Sequence, residues 1–150
     1  MRLTDWPTRT HMAGTASNDV WFSGANGTIL HWDGAAVSQV ASPTSHTVNA
    51  IVPVDTDDAW GVGTVGTVLH WDGAAWSIVD AGTNASLNDV APVSTNDVWI
   101  VGMNGALVHY DGSTWTPEPA TTQDLFGAWP NGSGNVIVVG SNGTILHLEP

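Results

Sequence analysis

The chain has no cysteine among its 150 residues, which removes both a disulfide framework and a thiolate zinc site. Positive charge is nearly missing too: Arg2 and Arg9 are the only Lys or Arg side chains against 14 Asp and Glu, for a net charge of −12. A phosphate backbone or an anionic lipid surface is held by clustered cations, so nucleic acid and membrane are excluded as partners on this reading. Apolar runs such as Val98 to Val101 are far too short to span a bilayer. Nor does the N-terminus, MRLTDWPTRT, carry the apolar stretch of a signal peptide, so the sequence reads as that of a soluble chain. Helix-period patterning is absent throughout.

What the chain does have is repetition. The run GMNGALVHYDG from Gly102 recurs as GANGTILHWDG from Gly24, as GVGTVGTVLHWDG from Gly61 and, without its last glycine, as GSNGTILHLEP from Gly140. The histidines within these runs, His31, His70, His109 and His147, stand 39, 39 and 38 residues apart. A fixed period in this range marks stacked supersecondary units. A unit this small cannot bury enough surface to fold alone, so the copies must share a core.

The third copy serves as template. Leu87 to Val93 reads as a first strand, Ser94 to Asp97 as a turn, Val98 to Val101 as a second strand and Asn104-Gly105 as a tight hairpin. Ala106 to Tyr110 is a third strand, Asp111-Gly112 another turn, and Trp115 opens a short fourth strand ended by Pro117 and Pro119. Four short antiparallel strands per unit of about forty residues is the pattern of an all-β, four-bladed β-propeller. The whole of 1–150 is then one propeller domain, with blades at about 8–47, 48–86 and 87–124, and a last blade at 125–150 plus 1–7. In this scheme the N-terminal stretch Leu3 to Trp6 supplies the missing outer strand of the last blade and closes the ring. With Met103 and Asn104 at the hairpin tip, Trp99 faces Val108 and Val98 faces His109. One blade face then carries Trp99, Val108 and Tyr110, and the other Val98, Ile100, Leu107, His109 and Asp111.

The repeat L-N-D-V-x(7)-V-W-x-V-G-x-x-G-x-x-x-H-x-D-G-x-x-W resembles the blades of bacterial propeller proteins related to photosystem II assembly-factor and neuraminidase-type repeats. Its Asp-Gly-x-x-Trp segments, at Asp72 to Trp76 and Asp111 to Trp115, are similar to an Asp-box hairpin with one turn residue missing. Val37 replaces the tryptophan in blade one, and Glu149-Pro150 replaces Asp-Gly in blade four. The resemblance implies the fold and an extracellular or cell-surface setting; activity does not follow from it, because this scaffold hosts many functions.

Four equivalent histidines invite a metal reading, but each lies on the third strand out, roughly 10 Å from the innermost one. Histidines of different blades therefore cannot share an ion, and each is expected to bond to an Asp or turn backbone in its own blade, as in the polar networks of WD-repeat blades. The tryptophans at blade positions, Trp21, Trp60, Trp99, Trp32, Trp71, Trp76 and Trp115, are expected in the core. Trp129 departs from the repeat, standing where the other inner strands have Val52 and Ala91, and reads as a plug of the central channel or an aromatic surface at its mouth. Blade two contains Asp55-Thr56-Asp57-Asp58, and the same register places Asp57 opposite Asp72, a calcium candidate beside the alternative of a solvated acidic turn.

The function expected is non-enzymatic recognition of a glycan or a protein surface. The inter-blade loops Ser38 to Thr47, Ser77 to Ser86 and Thr116 to Asp124 vary while the strands repeat, and variable loops on a rigid scaffold carry specificity. Near the axis at the same end, Thr10, His11, Asn49, Asn88, Asp89, Phe126 and Trp129 are the candidate ligand-binding residues. No cofactor is called for. An assembly role is the alternative, in which the chain is a structural repeat domain or two chains make one larger ring as a homodimer. A glycosidase is a further alternative: two arginines are too few for a sialidase, whereas Asp89, Asp80, Glu118 and Asp124 supply the carboxyls other glycosidases need.

Overall fold

The computed structural model describes residues 9–149. They form four antiparallel sheets in chain order. The first holds β1 (Arg9–Ala16), β2 (Asp19–Gly24), β3 (Ile29–Trp32) and β4 (Val37–Gln39). The second holds β5 (Val48–Asp55), β6 (Asp58–Gly63), β7 (Val68–Trp71) and β8 (Trp76–Ile78), and the third β9 (Leu87–Ser94), β10 (Asp97–Gly102), β11 (Leu107–Tyr110) and β12 (Trp115–Pro117). Three strands make the fourth: β13 (Leu125–Pro130), β14 (Val136–Gly140) and β15 (Ile145–Leu148). The Leu3 to Trp6 strand expected to complete it lies outside the described residues.

The strands fall where the repeat places them, but the hairpin register does not. Gly102 N–H donates to the Ala106 carbonyl at 2.9 Å and Ala106 N–H to the Met103 carbonyl at 3.1 Å, which leaves Met103, Asn104 and Gly105 as a three-residue tip. Asn104 and Gly105 both adopt positive φ, 56° and 72°. Adding one residue to the tip moves every partner by one, so Trp99 pairs with His109, Val98 with Tyr110 and Ile100 with Val108. Parity reverses with it. His109 and Leu107 share a face with Trp99, while Val108 and Tyr110 join Val98 and Ile100, which corrects the expected sorting. The same shift in blade two removes the facing of Asp57 and Asp72, because Ala59 pairs with Trp71.

Each blade thus has a front face, bearing Trp21, Trp60 or Trp99 in blades one to three, and a rear face. The front faces of blades one to three each pack on the next blade's rear face. Trp21 and Ile29 of blade one meet Ile51, Ala59 and Leu69 of blade two; Trp60, Val62 and Val68 meet Leu87, Val90, Val98 and Ile100; Trp99, Val101 and Leu107 meet Leu125, Val136 and Val138. Each fully buried Val, Leu or Ile in these layers contributes about 1.5–3 kcal/mol. The innermost strands pack in the succession β1, β5, β9, β13, and among the described residues no comparable packing joins β13 back to β1. The blades form an arc.

The hairpin tips are held by the linkers on either side. Thr64 N–H donates to Thr47 O at 3.0 Å, Met103 N–H to Ser86 O at 2.8 Å and Ser141 N–H to Asp124 O at 2.8 Å, each from the incoming linker. The outgoing linker crosses the tip glycine so closely that a Cβ on Gly27, Gly66 or Gly105 would lie within about 2 Å of the Thr44, Thr83 or Thr121 carbonyl oxygen. Gly143, at the tip of blade four, has nothing within 4 Å of that point. Gly105→Ala is therefore expected to cost about 3 kcal/mol or more and Gly143→Ala only about 1 kcal/mol, as read from urea denaturation midpoints. Blade two puts Val65, a β-branched residue, at φ 57°, where the other blades use Asn26, Asn104 and Asn142. Because Val65 is exposed and Asn tolerates this region, Val65→Asn should stabilise the chain by about 1 kcal/mol, raising the melting temperature.

Candidate functional site

On the front face of each complete blade, tryptophan, histidine and aspartate form one polar-aromatic unit. His31 Nε2 lies 2.7 Å from Asp19 Oδ1, His70 Nε2 2.9 Å from Asp58 Oδ1 and His109 Nε2 2.8 Å from Asp97 Oδ1. The imidazoles lie against Trp21, Trp60 and Trp99, with ring centroids 4.2, 4.4 and 4.1 Å apart. Thr15 adds its hydroxyl to Asp19. Each histidine is thus engaged within its own blade. In blade four the unit is altered: His147 meets Asn135 at 3.3 Å, and Ile137 stands where the tryptophan was.

The Asp-Gly turns likewise spend their carboxylates locally. Asp72 Oδ1 accepts from Ala74 and Ala75 N–H, both at 2.9 Å, and Asp33 and Asp111 repeat the arrangement. These donors, that of Ala75 first, hold Asp72 below the usual carboxylate range; Ala36 N–H does the same for Asp33 and Thr114 N–H for Asp111. Asp57 instead lies against Gly73. Among the described residues no group of three His, Asp or Glu side chains gathers to hold a metal ion.

The residues expected near the axis sort into two kinds. Thr10 donates to Val48 O at 2.6 Å, Asn49 to Leu87 O at 2.7 Å and Asn88 to Leu125 O at 2.7 Å, so one position of three successive blades clasps the next inner strand. A second position does the same twice. His11 Nδ1 lies 3.1 Å from Ile51 O, and Asp89 Oδ2 accepts from Ala128 N–H at 2.9 Å. Phe126 and Trp129, in blade four, are exposed instead. Trp129 pairs with Ile137 across β13 and β14, whereas Ala91 pairs with Trp99, so in blade four the tryptophan has crossed to the partner strand on the same face. Sequence comparison of the repeats contains the clasp as a polar residue recurring at the second inner-strand position, a signal that the ligand-binding expectation passed over.

The four inner strands enclose a cleft of about 440 Å³ with His11, Asp89 and Trp129 on its walls, among Val52, Pro53 and Pro92. Asp89 is its notable group. Burial, the strongest influence, raises its pKa above 3.8, opposed by the N–H donors of Ala128 and Val90 and by His11. The other carboxyls weighed for glycosidase chemistry lie in linkers, where Asp80 accepts from Gly82 N–H at 2.9 Å and Asp124 from Asn104 N–H at 2.7 Å. A second concavity, of about 470 Å³, runs between blades two and three. Its walls include Tyr110 and Trp115, which stack within blade three, and Trp60 of blade two, which meets Trp115 edge-on across the blade interface.

This architecture is that of β-propeller blades. No protein-family profile and no curated protein matches the chain. Among solved structures it is similar to YCF48 bound to a D1 peptide, at 15% identity and a TM-score of 0.80, over 96% of this chain and 51% of that one. YCF48 from Cyanidioschyzon merolae is similar at 20% identity and a TM-score of 0.79, with the same coverage. The computationally designed Ika4 protein is similar at 17% identity and a TM-score of 0.80, over 98% of this chain and 94% of that one. The chain spans about half the length of the YCF48 chains it matches.

The position of Asp89 has a pH signature. An acid whose folded pKa is raised favours folding most below its unfolded value of 3.8, and that contribution is lost as pH rises through the folded value. Asp89→Asn removes the step. The stability of the native chain minus that of the variant is therefore expected to fall across this window, measured by urea midpoints from about pH 3 to about pH 7.

Proposed function

We propose that the chain is a non-enzymatic recognition module whose axial cleft holds a segment of a partner protein, and that its arc of blades works as part of a larger ring. The observation that carries the recognition reading is Asp89, a partly desolvated carboxylate beside His11 on a cleft otherwise walled by Val, Ala, Pro, Met12 and Trp129. A carboxylate kept ionisable in such a place binds a cationic group more strongly than one in water. The net charge of −12, with two arginines in all, adds a field that draws basic partners toward the molecule. One structural neighbour, YCF48 bound to a D1 peptide, supports peptide recognition as a use of this scaffold. The partner segment on this reading carries a Lys or Arg next to an apolar side chain.

A peptide array with matched basic, neutral and acidic sets tests it, with a glycan array run alongside. Basic peptides should be retained, and Asp89→Asn should weaken them about tenfold or more while the variant melts cooperatively. Equal retention of acidic and basic sets, or retention of glycans alone, would sink the proposal.

A further inference from the structure

We infer that the front face of blade four is the docking surface for blade one of a second copy, so that two chains close one ring of eight blades through two identical joints. This builds on the reading of the arc as part of a larger ring and names what completes it. At three places in the chain a front face is sealed by the next rear face. Ile29, Val68 and Leu107 are 0%, 0% and 3% exposed, whereas Ile145, at the same position of blade four, is 71% exposed. Val139 is 46% exposed where Val62 and Val101 are fully buried. At the opposite end the rear side of blade one is open at its inner strand: Met12 is 62% exposed, while Ile51 and Val90 at its position in blades two and three are 0% and 2%, and Leu30 further out on the same side is buried.

The chemistry of the blade-four face favours a partner blade over water. A terminal repeat that ends in solvent carries a polar outer face. Here Trp129, Val139 and Ile145 keep the face apolar, and the tryptophan lost at Ile137 returns opposite it as Trp129. The carboxylate of the other blades is replaced by Asn135, so the joint carries one negative charge fewer than the internal ones. The occupant must offer an apolar rear face of the same spacing. Blade one of another copy offers such residues in Met12 and Phe22, which pair across β1 and β2 and line one concavity. Front-to-rear contact is heterologous, so two copies satisfy both ends only by closing, and eight blades lies within the usual range for propellers. The joint lacks the inner-strand clasp, because Phe126 occupies the position of Thr10, Asn49 and Asn88. It is therefore held by apolar contact alone, and between chains of net charge −12 it should tighten as salt rises.

Light scattering coupled to size exclusion, over a dilution series at low and high salt, tests this on the intact chain. The expected mass is about twice 15.6 kDa, increasingly populated with salt. Ile145→Lys and Met12→Lys alter exposed side chains and should each give the single-chain mass with an unchanged melting temperature. Mixing the two variants restores one intact joint, so a two-chain species should reappear. A wild-type chain that stays at the single mass at every concentration and salt overturns the inference, as does a dimer that survives both substitutions. Asp89→Asn should leave the mass untouched: loss of peptide binding with the dimer intact, or peptide binding by a single chain, separates failure of one reading from failure of the other.

Discussion

The structure depends on one contact type, the packing of a tryptophan-bearing front face on the apolar rear face of the next blade. A four-stranded sheet of about thirty residues has two apolar faces and no way to bury either by itself. Sheets apolar on both sides are stable only between neighbours. Composition follows from this: the buried Val, Ile, Leu and Trp sit on both faces of the sheets, and the carboxylates lie mostly in turns, linkers and the histidine-paired positions, with Asp89 of β9 the exception on an inner strand. That pairing solves a local problem. The His-Asp unit puts a polar pair at the outer margin of the front face in blades one to three and gives the imidazole an aromatic neighbour on one side and a carboxylate on the other, so the ring nitrogen that reaches the carboxylate is matched within its own blade.

Lateral packing fixes which faces meet, and directional bonds fix their alignment. The Thr10, Asn49 and Asn88 clasps join successive inner strands at one height, each contributing about 1 kcal/mol. The linkers, gripping the hairpin tips from both sides, stop one blade sliding on the next. These two devices explain why the variable loops are short of free polar groups: Asp80, Thr83, Thr121 and Asp124 are already bonded to backbone. Side chains differ from blade to blade instead along the concave inner edge, where His11, Ala50, Asp89 and Gly127 occupy one equivalent position.

Period and strand content were legible in the sequence because they depend on spacing alone. The glycine-anchored runs at Gly24, Gly61, Gly102 and Gly140 locate every second and third strand. Register was not, since Asn-Gly is compatible with both a two-residue and a three-residue tip, and one residue of difference turns His109 from one face to the other. The Asp57–Asp72 facing failed for the same reason. The clasp residues were noticed for being polar and near the axis, but their partners lie some 38 residues away in the next blade, a relation that only the stacking geometry reveals. Trp129 stood out as a break in the pattern; that it answers Ile137 required the observed pairing.

Asp89 holds two roles that pull against each other. As a clasp it accepts from Ala128 N–H and ties blade three to blade four, a task that Asn49 and Asn88 show a neutral side chain can share. As a carboxylate it is penalised, since burial on the cleft wall raises its pKa rather than lowering it as the Asp-Gly turns do. Structural need alone would be met by an amide, which accepts the same bond without the desolvation cost. A carboxyl at this position therefore costs the fold more than an amide would. The cleft's negative pole is thus set by a residue the fold does not require to be charged.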